Sequence, residues 1–324
     1  STSQEPTMND DKTEDGTGLG LFTSQLQNLM DDTTYYVRAY AVNSAGVAYG
    51  EEKSFKTLNG NDNGDDNGND DNDDEGYVEE YDDLNNLNIT IDGVSFKMVF
   101  VEGGTFNMGA QSTDPEGLNY DSEAYDREAP VHSVTLSDYY VGETEVTQEL
   151  WETVMRYNLS HTEGPQKPVE QVTWVECQSF VDGLNEITGK KFRLLTEAEW
   201  EFAARGGNKS QAYKYSGSNV LDDVAWYKNN SGNESHDVKT KAPNELGIYD
   251  MCGNVLEWCQ DLFGNYSANE QIDPTGATSG SDYVIRGGSF LAAESYNRVT
   301  LRNFLFSSGV SLGIGFRIAL EIED

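Results

Sequence analysis

The chain has 324 residues, room for two domains, and carries 57 acidic against 21 basic residues, a net charge of −36. That charge argues against nucleic acid or an anionic membrane as partner and for a soluble, self-repelling surface. Three cysteines, Cys177, Cys252 and Cys259, are too few for a disulfide framework and have no metal-ligand spacing, and no stretch reaches transmembrane length. The sequence opens in polar residues without a signal peptide, as expected if an export segment precedes it.

Residues 1–57 read as short strands: Leu19–Thr23, Thr34–Val42, Val47–Gly50 and Lys53–Lys56. Tyr36, Arg38 and Tyr40 alternate with Tyr35, Val37, Ala39 and Ala41, the pattern of a half-buried strand. The run from Thr34 to Gly46 resembles the late strands of a fibronectin type III domain. A complete sandwich needs about 100 residues, so the resemblance implies only a partial β-sandwich. Residues 58–83 are Asn, Gly, Asp and Glu with almost nothing apolar, which reads as a flexible linker. The alternative for this run is a calcium-binding Asp/Asn array, although it lacks the spacing and terminal Glu of an EF-hand loop.

The texture changes at Leu84. Ile89–Phe96 carries a hairpin signal, with Asp92-Gly93 supplying the positive φ of a type I′ turn. A helix is expected over about Thr147–Met155, around Trp151. Thr173 with Glu176 and Thr196 with Glu199 form two capping boxes. The first opens a helix with Cys177, Phe180, Val181, Leu184 and Ile187 on one apolar face and Gly189 as its stop. The second opens a helix that turns Trp200, Ala203 and Ala204 inward and stops at Gly206. All five tryptophans fall between Trp151 and Trp258 and mark one core.

His132, His161 and His236 are scattered and have no carboxylate at ligand spacing, so a histidine metal site and a serine triad at Ser289 are both disfavoured. Gly16–Gly20 is not a dinucleotide loop, because no strand–helix unit surrounds it. From Ser295 to Leu320 there is no Asp or Glu at all. Phe304–Leu312 shows neither strict alternation nor a helical period, and reads as an apolar loop of the kind soluble proteins expose for binding.

Ordered phrases in residues 84–324 carry a resemblance: Phe106–Gly109, Glu143–Thr147, Phe192–Glu201, Gly247–Trp258, Arg286–Ser289 and Gly315–Arg317. They resemble the sulfatase-modifying-factor domain, the formylglycine-generating-enzyme type of C-type lectin fold. The implied fold class is α+β, with the partial sandwich segment in front. In that family two redox cysteines follow Gly-Gly-Ser, and here their places hold Ala292 and Asn297. A methyl group and a carboxamide cannot replace a thiolate that binds copper, so neither catalytic residues nor copper are expected.

The C-terminal segment is most similar to the variable proteins of diversity-generating retroelements, which display a mutated segment on this scaffold. Arg298-Val299, Arg302 and Gly315–Arg317 match their closing pattern. Mutagenesis there targets adenines in AAC codons, which excludes Lys, Glu, Gln, Met and Trp, and Phe290–Ala293 and Phe304–Leu312 obey that restriction. The resemblance implies a ligand face of Phe290, Leu291, Ala292, Ala293, Tyr296, Leu301, Phe304, Leu305, Phe306, Ser307, Ser308, Val310, Ser311 and Leu312. It is expected to bind a protein on another cell or surface, from an extracellular or cell-surface position on a bacterium. The alternative is that half of these side chains point inward. The resemblance further implies one calcium ion in the loop Asp250–Glu257, held by Asp250, the carbonyls of Gly253 and Val255, and Glu257. The other functions in contention are a divergent formylglycine-generating oxidoreductase and a structural module of a secreted complex.

Overall fold

The alternation of residues 34–42 becomes a hairpin. Strand β1 (Thr34–Asn43) pairs antiparallel with β2 (Gly46–Lys56), with a register irregularity between Arg38 and Tyr40. Val47–Gly50 and Lys53–Lys56 are thus one strand rather than two. The computed structural model describes residues 2, 6–8, 10–13, 29–30, 33–43, 46–57 and 77–322, so Leu19–Thr23 and most of the acidic run lie outside the described residues. The chain divides into two compact units, residues 1–72 and 73–324, and this hairpin is the only sheet of the first among the described residues.

The second unit begins inside the acidic stretch. Tyr77–Tyr81 (β3), expected within the linker, forms a strand, with Glu79 paired to Lys190 at 2.6 Å. There follow β4 (Leu87–Ile91), β5 (Val94–Val101), β6 (Gly104–Met108), β7 (His132–Leu136), β8 (Tyr139–Gly142), α1 (Gln148–Met155), α2 (Trp174–Thr188), β9 (Phe192–Leu194) and α3 (Glu197–Ala204). The remainder is α4 (Leu221–Val224), β10 (Leu256–Leu262), β11 (Gln271–Ile272), β12 (Asp282–Arg286), β13 (Arg302–Phe306), β14 (Ile314–Gly315) and β15 (Ile318–Leu320). A six-stranded sheet runs β3-β4-β5-β8-β15-β9, a four-stranded sheet β13-β12-β10-β14, and a three-stranded sheet β11-β7-β6. This is the α+β architecture expected.

Local chemistry explains the elements. Asp92 and Gly93 turn β4 into β5 at φ of 48° and 79°. Both capping boxes close, and Gly189 ends α2 in the left-handed conformation. Residues Leu87, Ile89 and Met98 face α1 and α2, whereas Val99, Val101 and Val141 face α3. The core is therefore two clusters rather than one. Trp151 stacks on Phe180 with centroids 5.5 Å apart and meets Phe316 edge-on in the first, and Trp200 lies in the second. Ile187, expected on the apolar face of α2, is exposed near the helix end.

Trp151 has no exposed surface. Trp151→Ala is expected to lower unfolding stability by about 3–5 kcal/mol, measured by denaturant titration.

Candidate functional site

Four arginines frame the C-terminal segment, and none reaches solvent. Arg286, Arg298, Arg302 and Arg317 are at most 2% exposed. Arg298 forks onto Glu128 with contacts of 2.7 and 2.8 Å. Arg302 forks onto Glu197 at 2.7 and 2.6 Å, and Arg317 onto Glu257 at 2.7 and 2.7 Å. Arg286 meets Glu201 at 2.5 Å, donates to the carbonyls of Val299 and Thr300, and stacks over the Trp200 ring. Bidentate pairs of this kind fix orientation as well as charge. Burial pushes the Glu201 carboxyl up, but Arg205 and Arg286 pull harder and leave it below its ordinary value.

Between these anchors most of the expected face is offered to solvent. Leu291, Ala293, Tyr296, Phe304, Phe306, Ser308, Val310, Ser311 and Leu312 are exposed, and Ala292, Leu305 and Ser307 are half-buried. Phe290 and Leu301 are buried, so these two members of the expected face belong to the interior. Phe304–Phe306 is not a loop but the end of strand β13, at the edge of its sheet. A strand sends alternate side chains to opposite faces. Leu305 therefore packs beside Tyr283 and Ile285, while Phe304 lies on Phe263, centroids 4.4 Å apart. The expected single patch is thus a surface wrapped around a strand edge. Asn303, opposite Ile285 on the Leu305 side, was missed; strand alternation would have found it.

Around Ala292, where the resemblance led a redox cysteine to be expected, the structure has a cavity of about 60 Å³, lined by Ala292, Tyr296, Leu301, Asn303, Ile285 and Leu256 among others. Asn297 is buried, donates to the Ala293 carbonyl at 2.8 Å, and leaves its Oδ1 without a partner. All three cysteines are free and buried elsewhere. Burial pushes the Cys252 thiol up to about 12 and raises Cys177 and Cys259 well above the usual thiol range. None is a thiolate near neutrality.

The loop Asp250–Glu257 fits a calcium ion on one observation in particular. Asp250 Oδ2 accepts the Lys239 N–H at 2.8 Å, whereas its buried Oδ1 has no partner. Burial raises the Asp250 carboxyl to about 6. Glu145, buried beside the loop, accepts from Asn254 Nδ2 and Val255 N, and burial, then Asp250 and Glu257, hold its carboxyl well above the usual range. These three acidic groups share one arginine, Arg317. Glu257 is engaged by Arg317 and by the Trp200 indole at 2.7 Å. Among the described residues no three acidic, His or Cys side chains converge to hold a metal by themselves. Such an ion would need Asp250 Oδ1, the Gly253 and Val255 carbonyls and a remaining lone pair of Glu257 together.

Comparison with known proteins matches residues 93–322 to the family described as Sulfatase-modifying factor enzyme 1-like domain. The chain is 36% identical over 275 residues to the chaperone protein LppX of Paenibacillus barcinonensis, covering 69% of this chain and 89% of that one. It is 29% identical over 294 residues to the formylglycine-generating enzyme of Streptomyces coelicolor, again over 69% and 89%. Among solved structures, variable protein 1 of Treponema denticola shares the fold with a TM-score of 0.65 and 32% identity, over 72% of this chain and 98% of that one.

Anchors and displayed residues are expected to respond differently to substitution. Glu128→Ala removes the forked partner of Arg298, which keeps only the partly exposed Asp121 at 3.1 Å, and should cost about 3 kcal/mol. Phe306→Ser, Val310→Ser and Leu312→Ser, at positions 53%, 53% and 40% exposed, should each stay within about 0.5 kcal/mol. Thermal unfolding of the four variants checks the contrast.

Proposed function

Because the chain belongs to the sulfatase-modifying factor enzyme 1-like family, we propose that it uses the family's scaffold without catalysis, to display the segment Leu291–Leu312 to a protein ligand. One observation carries this reading: the four arginines within and flanking the segment are locked inside while most of the expected face between them is exposed or half-buried. Leu291, Tyr296, Phe304, Phe306, Val310 and Leu312 make an exposed apolar and aromatic surface, which suits a protein partner better than a sugar. A binding face of this kind belongs outside the cell, at the surface of a bacterium, and it leaves no role for nucleic acid or for insertion into a membrane. Among the described residues no helix is long and apolar enough to cross one.

Catalysis of the formylglycine type is not part of the reading, since Ala292 and Asn297 stand where thiols would be needed and the three cysteines are buried elsewhere. Purified protein incubated with copper and a Cys-containing sulfatase peptide is expected to produce no formylglycine; turnover above the copper blank would overturn the proposal. The coding locus offers a second check. A nearby copy of the codons for the C-terminal segment, differing only at adenines, is the expected mark of diversification.

Calcium at Asp250–Glu257 belongs to the same reading, as a structural ion. Added calcium should raise the melting temperature, chelator should lower it, and Asp250→Asn should abolish the response. The sign of the pH effect follows from the raised carboxyl. In chelator the folded protein keeps a proton that the unfolded chain releases near 3.8, so this group's contribution is present below 3.8 and lost as pH rises through about 6. With calcium bound that loss should disappear. A melting temperature indifferent to both calcium and chelator would remove the ion.

A further inference from the structure

We infer that the end of the displayed segment, residues 307–312, is preorganised, and that Glu170 is the positioning residue that holds it. The Glu170 carboxyl clamps the backbone at Gly313, where the exposed run ends, before any ligand arrives. The inference rests on the display reading above and adds how the face keeps one shape whichever side chains it carries.

Glu170 has no exposed surface, and its partners set it apart from other buried glutamates. Glu128, Glu197, Glu201 and Glu257 each hold an arginine. Glu170 bonds to no basic side chain among the described residues, and its carboxyl accepts three backbone N–H groups instead. Oε1 accepts from His161 at 2.6 Å and from Thr162 at 3.3 Å, and Oε2 accepts from Gly313 at 3.0 Å. A buried carboxyl bonded in this way fixes the path of the chain at two places far apart in sequence.

Both sides of the clamp are themselves secured. Residues 158–164 are tied to α1 by Gln148, which is 1% exposed. Its Nε2 donates to the Thr162 carbonyl at 2.8 Å, and its Oε1 accepts from Gly164 N at 3.0 Å and from Asn158 Nδ2 at 2.8 Å. On the other side, the Gly313 carbonyl accepts the Leu256 N–H at 2.8 Å, at the start of β10. Gly315 lets the two segments approach, since a Cβ there would lie 2.3 Å from the Val169 carbonyl oxygen.

Between β13 and this clamp Ser308, Val310, Ser311 and Leu312 are exposed and Ser307 is half-buried. The clamp grips main chain, so none of these side chains is needed for it. Their replacement leaves the path of the loop unchanged, and Val310 and Leu312 are presented in one arrangement. A loop ordered in advance gives up less conformational freedom when its ligand binds.

Glutamine separates this role from simple burial. Glu170→Gln keeps one acceptor oxygen, and the amide nitrogen that replaces the other cannot accept. The oxygen should turn to His161 and Thr162, which offer two donors, and Gly313 then loses its acceptor. Amide exchange of the full chain, resolved by residue with NMR, should rise about tenfold or more at Gly313 and stay within about threefold at His161. Glu170→Ala should speed both. Backbone ¹⁵N relaxation at Val310 and Leu312 should report an ordered loop in the wild type and a looser one in both variants. Equal acceleration at His161 and Gly313 in the glutamine variant, or none at Gly313, would overturn the assignment. Should neither variant fold, the wild type decides: a loop as mobile at Val310 and Leu312 as a free chain end sinks the idea, and an ordered one supports it. No ligand enters these readouts, so preorganisation can fail while the display reading stands.

Discussion

A guanidinium buried without its carboxylate is among the most expensive arrangements a protein interior can hold, and this domain places four arginines there. Each of Arg298, Arg302 and Arg317 is held by a fork of two contacts to one glutamate, and Arg286 sits between Glu201 and two backbone carbonyls. The partners come from the 3-10 turn at Asp126–Glu128, from α3, which supplies both Glu197 and Glu201, and from β10, so the four pairs tie the C-terminal segment to three parts of the unit. Removing a partner leaves a buried charge with fewer counter-charges, only partly offset by Asp121 beside Arg298 and Arg205 beside Glu201. The segment is therefore held by electrostatics and by a few buried side chains such as Phe290 and Leu301, and the exposed side chains between them have little part in holding the fold.

That division accounts for the sequence. Four cations with committed partners tolerate Phe, Leu, Ser, Val or Ala between them, since the exposed positions have few contacts to satisfy. It also accounts for the inert cysteines. Cys252 and Cys259 are core side chains in the cluster around Trp200, far too buried to ionise near neutrality. Elsewhere, a small cavity has Ala292 in its wall, and the Asn297 amide is turned to the Ala293 carbonyl.

Much of the fold could be read in the sequence because its signals are local. Two capping boxes, Gly189 after α2 and the Asp92-Gly93 turn act over three or four residues and formed where expected. Signals that depend on partners distant in the chain could not be read. Phe304-Leu305-Phe306 has no polar residue to betray alternation, so its strand became visible only through pairing with β12. Phe290 and Leu301 look like the exposed apolar residues around them, and only the packing of the unit buries them. The glutamates that bind Arg298 and Arg302 lie 170 and 105 positions away, beyond any motif window. Likewise, β3 hides in an acidic run because its stability comes from pairing with β4 and from Lys190.

The edge position of β13 has a colloidal consequence. An apolar strand at the rim of a sheet, with phenylalanine on one face and leucine on the other, is the kind of surface on which identical chains stack against one another. Here the chain turns back at once, Gly309 donating to the Phe306 carbonyl at 2.7 Å, which keeps the strand to five residues. The remaining protection is long-range: at a net charge of −36 two copies repel before their rims can meet. The apolar strand edge and the repulsion between copies are thus set by different parts of the sequence, one lodged in the final thirty-odd residues and the other spread over the acidic remainder. Salt, which screens the second and leaves the first intact, shifts the balance between them.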